Sequence, residues 1–232
     1  MMDEALTVAL PKGRLLRPAV ELFRGLGWRC DLENGSRQLL VTEPGAPAGP
    51  PIRFLLAKPA DVPVYVEYGA ADLGIVGQDV LWESGRDVYE PLQLDFGHCR
   101  LVMAGTPSQR GRDLRLAVGL RVATKYPRLA QTYFQDRGLS VEVIPLSGSI
   151  ELAPLVGLSD LLVDLVETGR TLRENGLVEM AQIAACQAAI IVNRVAYRLR
   201  LAEIRPLLAA LEGANGQLNG RFPSPAQAEG RA

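Results

Sequence analysis

The sequence predicts an α/β protein with largely parallel sheets, folded as two lobes. Three observations lead there. Short apolar runs alternate with segments of helical periodicity along most of the chain. The alternation runs twice, once from Leu6 and again from near Leu120. Between the two series, residues 106–112 are rich in Gly, Pro, Ser and Arg and read as a hinge region. A chain of 232 residues, 48% of them hydrophobic, can bury the core of one large domain or of two small ones.

The first series opens with a buried strand at 6–10, a turn at Pro11-Lys12-Gly13, and a helix at 14–25 carried by Leu15, Ala19, Leu22 and Phe23. Strands follow at 38–41 and 52–57, separated by a Pro- and Gly-rich loop at 43–51. Residues 61–68 form a helix with Asp61 as N-cap and Pro63 in the first turn. A short buried strand at 73–76 and a helix at 77–83 come next, then strands at 88–92 and 100–105.

The second series has strands at 121–124, 141–145 and 161–166, with helices at 127–137 and 150–156 between them. Strands at 178–184 and 188–192 return to the first half. A helix at 194–211 follows, kinked or broken at Pro206. Lobe I is therefore 1–92 with 177–212, and lobe II is 93–176. A ligand cleft is expected between them. The Gly-, Asn-, Pro- and Ala-rich stretch 213–232 reads as a disordered tail.

Composition narrows the function. A net charge of −1 with interspersed signs argues against a nucleic-acid or membrane surface that depends on bulk charge. The three cysteines, Cys30, Cys99 and Cys186, are far apart in sequence and without metal-ligand spacing, which suits a reduced, cytoplasmic chain. The acidic N-terminus is not a signal peptide, and no stretch is long enough to span a bilayer. Walker A and dinucleotide fingerprints are absent, and His98 is the single histidine.

Several segments could carry chemistry. The apolar run ending at Asp164 leads into Glu167-Thr168-Gly169-Arg170-Thr171 and then a helical pattern. This puts a carboxylate, hydroxyls and backbone N–H groups near one point, which suits a sugar phosphate or an ordinary capped helix. Lys12-Gly13-Arg14 suits a polyphosphate or a solvated turn. Ser147-Gly148-Ser149 with Glu151 can bind phosphate or cap a helix. Lys58 follows a strand, where α/β folds place ligand contacts, and Arg37 precedes one. Gly74, inside a strand, points to close backbone approach.

Taken together the segments resemble the short-form ATP phosphoribosyltransferase family, over about residues 6–200. The resemblance rests on Leu10-Pro11-Lys12-Gly13-Arg14-Leu15, on the segment from Lys58 to Gly77, and on the run from Glu151 through Asp164 to Thr171-Leu172. One conservative departure is Leu162, where the family has Ile or Val. The resemblance implies a fold like that of type II periplasmic-binding proteins, with the active site in the inter-lobe cleft. It implies attack by N1 of the ATP adenine on the anomeric carbon of phosphoribosyl pyrophosphate (PRPP), with Mg²⁺ accompanying the pyrophosphate or ATP.

By the same resemblance, Asp164 orients the ribose, while Glu167, Thr168, Gly169, Arg170 and Thr171 cradle its 5-phosphate. Arg14 and Arg37 stabilise the leaving pyrophosphate. Lys12, Gly13, Lys58, Ser147, Gly148, Ser149 and Glu151 line the ATP or polyphosphate side. A catalytic homodimer working with a histidyl-tRNA-synthetase-like regulatory subunit is implied, with no nucleic-acid or membrane partner. Two other readings share parts of this pattern: a non-catalytic two-lobed binding module, and another PRPP-using transferase.

Overall fold

The computed structural model describes residues 5–30, 32, 39–47 and 49–218. Two compact units emerge, Met1–His98 with Gln187–Ala232, and Cys99–Cys186. Both crossings fall within single long strands, β5 (Tyr89–Gly105) and β9 (Val178–Val192). Composition divided each of these into two pieces, because the half-polar stretches at 93–99 and 185–187 interrupt the apolar pattern. No Gly- or Pro-rich linker marks either crossing, and the loop read as a hinge lies inside the second unit.

The first unit is built on the sheet order β2-β3-β1-β4-β9. Strands β1 (Leu6–Pro11), β3 (Ile52–Ala57) and β4 (Leu73–Gly77) are parallel, flanked by antiparallel β2 (Leu40–Glu43) and the end of β9. Buried on both faces, β1 is apolar apart from Thr7 rather than alternating. One face packs Leu6, Val8 and Leu10 with Phe23 of α1 (Leu16–Gly25), Trp28 and Phe54. The other packs Ala9 and Val76 against Val62 and Val66 of α2 (Val62–Glu67). Gly74 explains itself here: a Cβ on it would lie 2.8 Å from Val62 and 2.9 Å from Val66. The close approach that its place in a strand suggested is that of α2.

Asp61 is the N-cap of α2 but makes no side-chain capping bond, because a 3₁₀ turn (Pro59–Asp61) leads into the helix instead. Helix α3 (Gln78–Ser84) follows β4. After β9 the helical region breaks at Arg200 (φ −115°, ψ 26°) into α7 (Arg194–Leu199) and α8 (Leu201–Leu218), with Pro206 inside α8 rather than at the break. Arg200, buried, pairs with Asp72 (3.1 Å), donates to the Ala5 carbonyl and contacts Glu203. Helix α8 runs past Gly213, where composition started the tail. Asn215 accepts from the Asp95 N–H (2.7 Å) and donates to the Gln93 carbonyl (3.1 Å), so a polar residue anchors the last turns. The stretch from 219 onward lies outside the described residues.

The second unit orders its strands β5-β8-β6-β7. Strands β8 (Leu161–Val166), β6 (Leu120–Thr124) and β7 (Val141–Pro145) are parallel, and β5 closes the sheet antiparallel to β8. Leu161 and Val163 face one cluster, with Val122 and Phe134 of α4 (Pro127–Gln135). Leu162 faces the other, with Val102, Ala123, Ile150 and Leu172. Two short helices, α5 (Leu152–Leu155) and α6 (Arg170–Glu174), lie on that second face. Cys99 and Cys186, which sequence separation kept apart, sit with their Sγ atoms 3.2 Å apart, both buried.

Candidate active site

In parallel sheets the carboxyl ends of neighbouring strands share one edge, and the loops leaving them gather there. Each unit has such an edge.

In the second unit it is formed by the ends of β7, β6 and β8. The register sets Val122, Ala123 and Thr124 against Leu161, Leu162 and Val163. Continued by one residue, it levels Lys125 with Asp164. Asp164 is partly buried, on the Leu162 face, with Val102 of β5 opposite it. Its Oδ1 accepts the Leu165 N–H at 2.8 Å. Burial pushes its carboxyl above the ordinary range. The Leu165 N–H pulls back, Glu151's charge pushes up again, and Lys125's charge opposes it. Glu151 and Lys125 thus both act on Asp164, though they stand 26 positions apart in the chain.

Beyond β8 the chain turns through Glu167 and Thr168, both exposed, to Gly169 at φ +71°, the N-cap of α6. That backbone requires glycine. A Cβ would also stand 2.9 Å from Glu179 Oε1 and 3.0 Å from Arg173 Nη1. Thr171 is exposed, and Arg170 is paired along the helix with Glu174 (2.7 Å). Ser147, Gly148 and Ser149 are exposed after β7, and the Leu146 N–H donates to the Thr124 carbonyl (2.9 Å), tying that loop to the end of β6. The capping role open to the serines is not taken. Helix α5 begins later than the spacing suggested, Glu151 is its N-cap without a side-chain bond, and Ser149 sits at φ +49°.

In the first unit the edge is basic. Pro11 pairs with Ala57, so Lys12 and Lys58 leave adjacent strands side by side, and the Lys12 N–H donates to the Ala57 carbonyl (2.8 Å). Gly13 (φ +94°) turns the chain, and the Leu16 N–H closes the turn onto its carbonyl (3.0 Å). Lys12, Gly13, Arg14 and Lys58 are all exposed. Arg37 lies outside the described residues. Asp72 is structural: its Oδ2 accepts the Thr7 N–H (2.8 Å) besides Arg200.

Sequence reasoning named most members of both edges and missed Lys125. A signal was there, since it is a lysine directly after a strand, as Lys58 is. Among the described residues no helix is long and apolar enough to cross a membrane.

The HisG family model, described as ATP phosphoribosyltransferase, matches residues 58–213. The chain is 50% identical over 224 residues to the ATP phosphoribosyltransferase of Moorella thermoacetica, spanning 94% of this chain and 96% of that one. It is similar in structure to the ATP phosphoribosyl transferase (HisG:HisZ) complex from Thermotoga maritima, with a TM-score of 0.76 and 35% identity over 91% of this chain and 98% of that chain. The periplasmic aliphatic sulphonate binding protein SsuA from Escherichia coli shares the fold alone, at TM-score 0.60 and 15% identity over 94% of this chain and 71% of that one. The expected fold class is borne out, and the binding-module alternative is not favoured by relatives of such identity that are named as transferases. The chain belongs to the ATP phosphoribosyltransferase family.

Proposed function

We propose that the two strand-end edges divide the substrates of the family's reaction, the second unit taking PRPP and the first taking the polyphosphates. The reaction is a pentosyl transfer that opens histidine biosynthesis. The N1 lone pair of the ATP adenine forms a bond to the anomeric carbon of PRPP as the bond from that carbon to pyrophosphate breaks. N1-(5-phospho-β-D-ribosyl)-ATP is formed with inversion.

The adenine nitrogen is already a nucleophile. The protein's work is therefore positioning, and stabilising positive charge on the ribose and negative charge on the leaving group. Asp164 accepts from the ribose hydroxyls. Glu167, Thr168, Gly169, Arg170 and Thr171 surround the 5-phosphate with N–H groups and hydroxyls. Lys12, Gly13 and Lys58 hold polyphosphate, and Arg14 with Arg37 takes the charge of the departing pyrophosphate. Ser147, Gly148, Ser149 and Glu151, expected on the ATP or polyphosphate side, follow β7 in the second unit and are assigned instead to the PRPP edge. The observation that carries this reading is Asp164, set at a strand end in front of a turn whose glycine is left-handed and whose threonines are exposed.

Magnesium fits the donors present. Mg²⁺ uses one or two carboxylates together with substrate phosphates, and Glu151 beside Asp164 offers that set. Such an ion neutralises charge on the pyrophosphate. The working assembly is a catalytic homodimer in the cytoplasm with a histidyl-tRNA-synthetase-like regulatory subunit, as the HisG:HisZ complex of the Thermotoga relative suggests. The test is to mix the protein with ATP, PRPP and Mg²⁺ and follow the ultraviolet change of N1-substituted adenine. Folded protein that gives no such change refutes the reading.

A further inference from the structure

The PRPP edge has a charge problem. Its assigned members are Asp164, Glu167, Glu151 and a single cation, Arg170, which is 78% exposed and already paired with Glu174. Even with Mg²⁺ accompanying the pyrophosphate, the side chains there would offer the substrate's 5-phosphate more negative charge than positive. Other cations of the unit are spent elsewhere: Arg100 on Glu179 (2.7 Å) and Arg121 on Asp160 (3.8 Å). Arg173 lies beside Gly169, where the Glu179 carboxylate lies as well.

Lys125 is placed differently. It follows β6, the strand between β7 and β8, and so stands between the serine loop and the Asp164 turn. Its backbone is fixed on both sides. Thr124 is fully buried and its Oγ1 accepts the Tyr126 N–H (2.9 Å), while Tyr126 is buried at the start of α4. Between two buried neighbours only Lys125 is exposed. Strand alternation puts it on the face of Ala123, which is also the face of Leu162 and Asp164.

We propose that Lys125 is a PRPP-binding residue whose ammonium lies beside Asp164 and donates to the phosphate oxygens of the bound substrate. This rests on the functional reading above. A lysine suits the place because its three donors on a flexible stem reach phosphate as a point charge. The charged groups acting on Asp164 are Lys125 after β6 and Glu151 before α5, and the neutral Val102 of β5 lies opposite it.

The experiment compares wild type, K125M, K125R and T168V in steady-state assays with ATP, PRPP and Mg²⁺, with thermal melting as a control on folding. K125M is expected to melt with wild type and to raise KM for PRPP about tenfold or more, as the loss of a charged hydrogen bond implies. KM for ATP stays unchanged, and K125R recovers most of the loss. A K125M enzyme with wild-type KM for PRPP, alongside a T168V enzyme that has lost PRPP affinity, overturns the role of the lysine alone. A wild-type protein that makes no product from ATP and PRPP overturns the underlying reading, and this inference with it.

Discussion

The two strand-end edges are built from the same topology and opposite chemistry. In the first unit, parallel β1 and β3 release two exposed lysines side by side, with Arg14 just beyond. In the second, parallel β6 and β8 release a lysine beside a partly buried carboxylate, followed by exposed threonines and a left-handed glycine. The basic edge attracts any polyanion, which suits a pyrophosphate that must be gripped as it leaves. In the proposed reading the mixed edge selects by shape, with a carboxylate for the ribose hydroxyls, N–H groups and threonine hydroxyls for the phosphate, and Lys125 beside them.

That contrast can be broken at the basic edge first. Arg14→Ala should lower kcat on the order of 100-fold, as loss of a donor to developing charge does, and leave KM for PRPP nearly unchanged. Single-turnover rates check it, and an unchanged chemical step would remove Arg14 from the leaving-group role. At the mixed edge the damage should instead be geometric. Gly169→Ala forces a Cβ into the left-handed region and against Glu179 and Arg173. It should cost roughly 1–2 kcal/mol of stability and raise KM for PRPP more than it lowers kcat. Urea unfolding read beside the kinetics separates the two effects.

The smallest effect sharpens the contrast most. Asp164 has its carboxyl raised from the ordinary value of 3.8, chiefly by burial. The folded chain therefore holds that proton more tightly than the unfolded chain. The resulting stabilisation is complete below the unfolded value and is lost as pH rises through the raised folded value. At neutral pH the ionised Asp164 works against the fold. Asp164→Asn should then melt slightly higher than wild type near pH 7, with the gain shrinking toward pH 4, while activity falls. Melting curves across that range test it, and an Asn variant that melts lower at pH 7 would make Asp164 a structural residue.

Much of this was legible in the sequence. The central strands β4 and β8 announced themselves as apolar runs, because burial on both faces leaves little polar alternation. The run from Asp164 to Thr171 showed a strand end, a turn and hydroxyls in order. What misled was polarity used for structure. Asn215 looked like tail and anchors α8 to β5 through backbone bonds. Ser149 looked like a cap and sits in a left-handed turn before a late helix. In each case the partner is a backbone group or a distant side chain that local pattern cannot show.

By itself the sequence determined the fold class, the family resemblance and the local chemistry of each loop, since these depend on periodicity, turn residues and short ordered motifs. Only the tertiary structure decided which loops share an edge. Strand order and register bring Lys125 level with Asp164 and Lys12 beside Lys58, across 39 and 46 residues of chain. No local preference encodes that pairing. It follows from parallel strands that must bury both faces, and so it exists only once the sheet is formed.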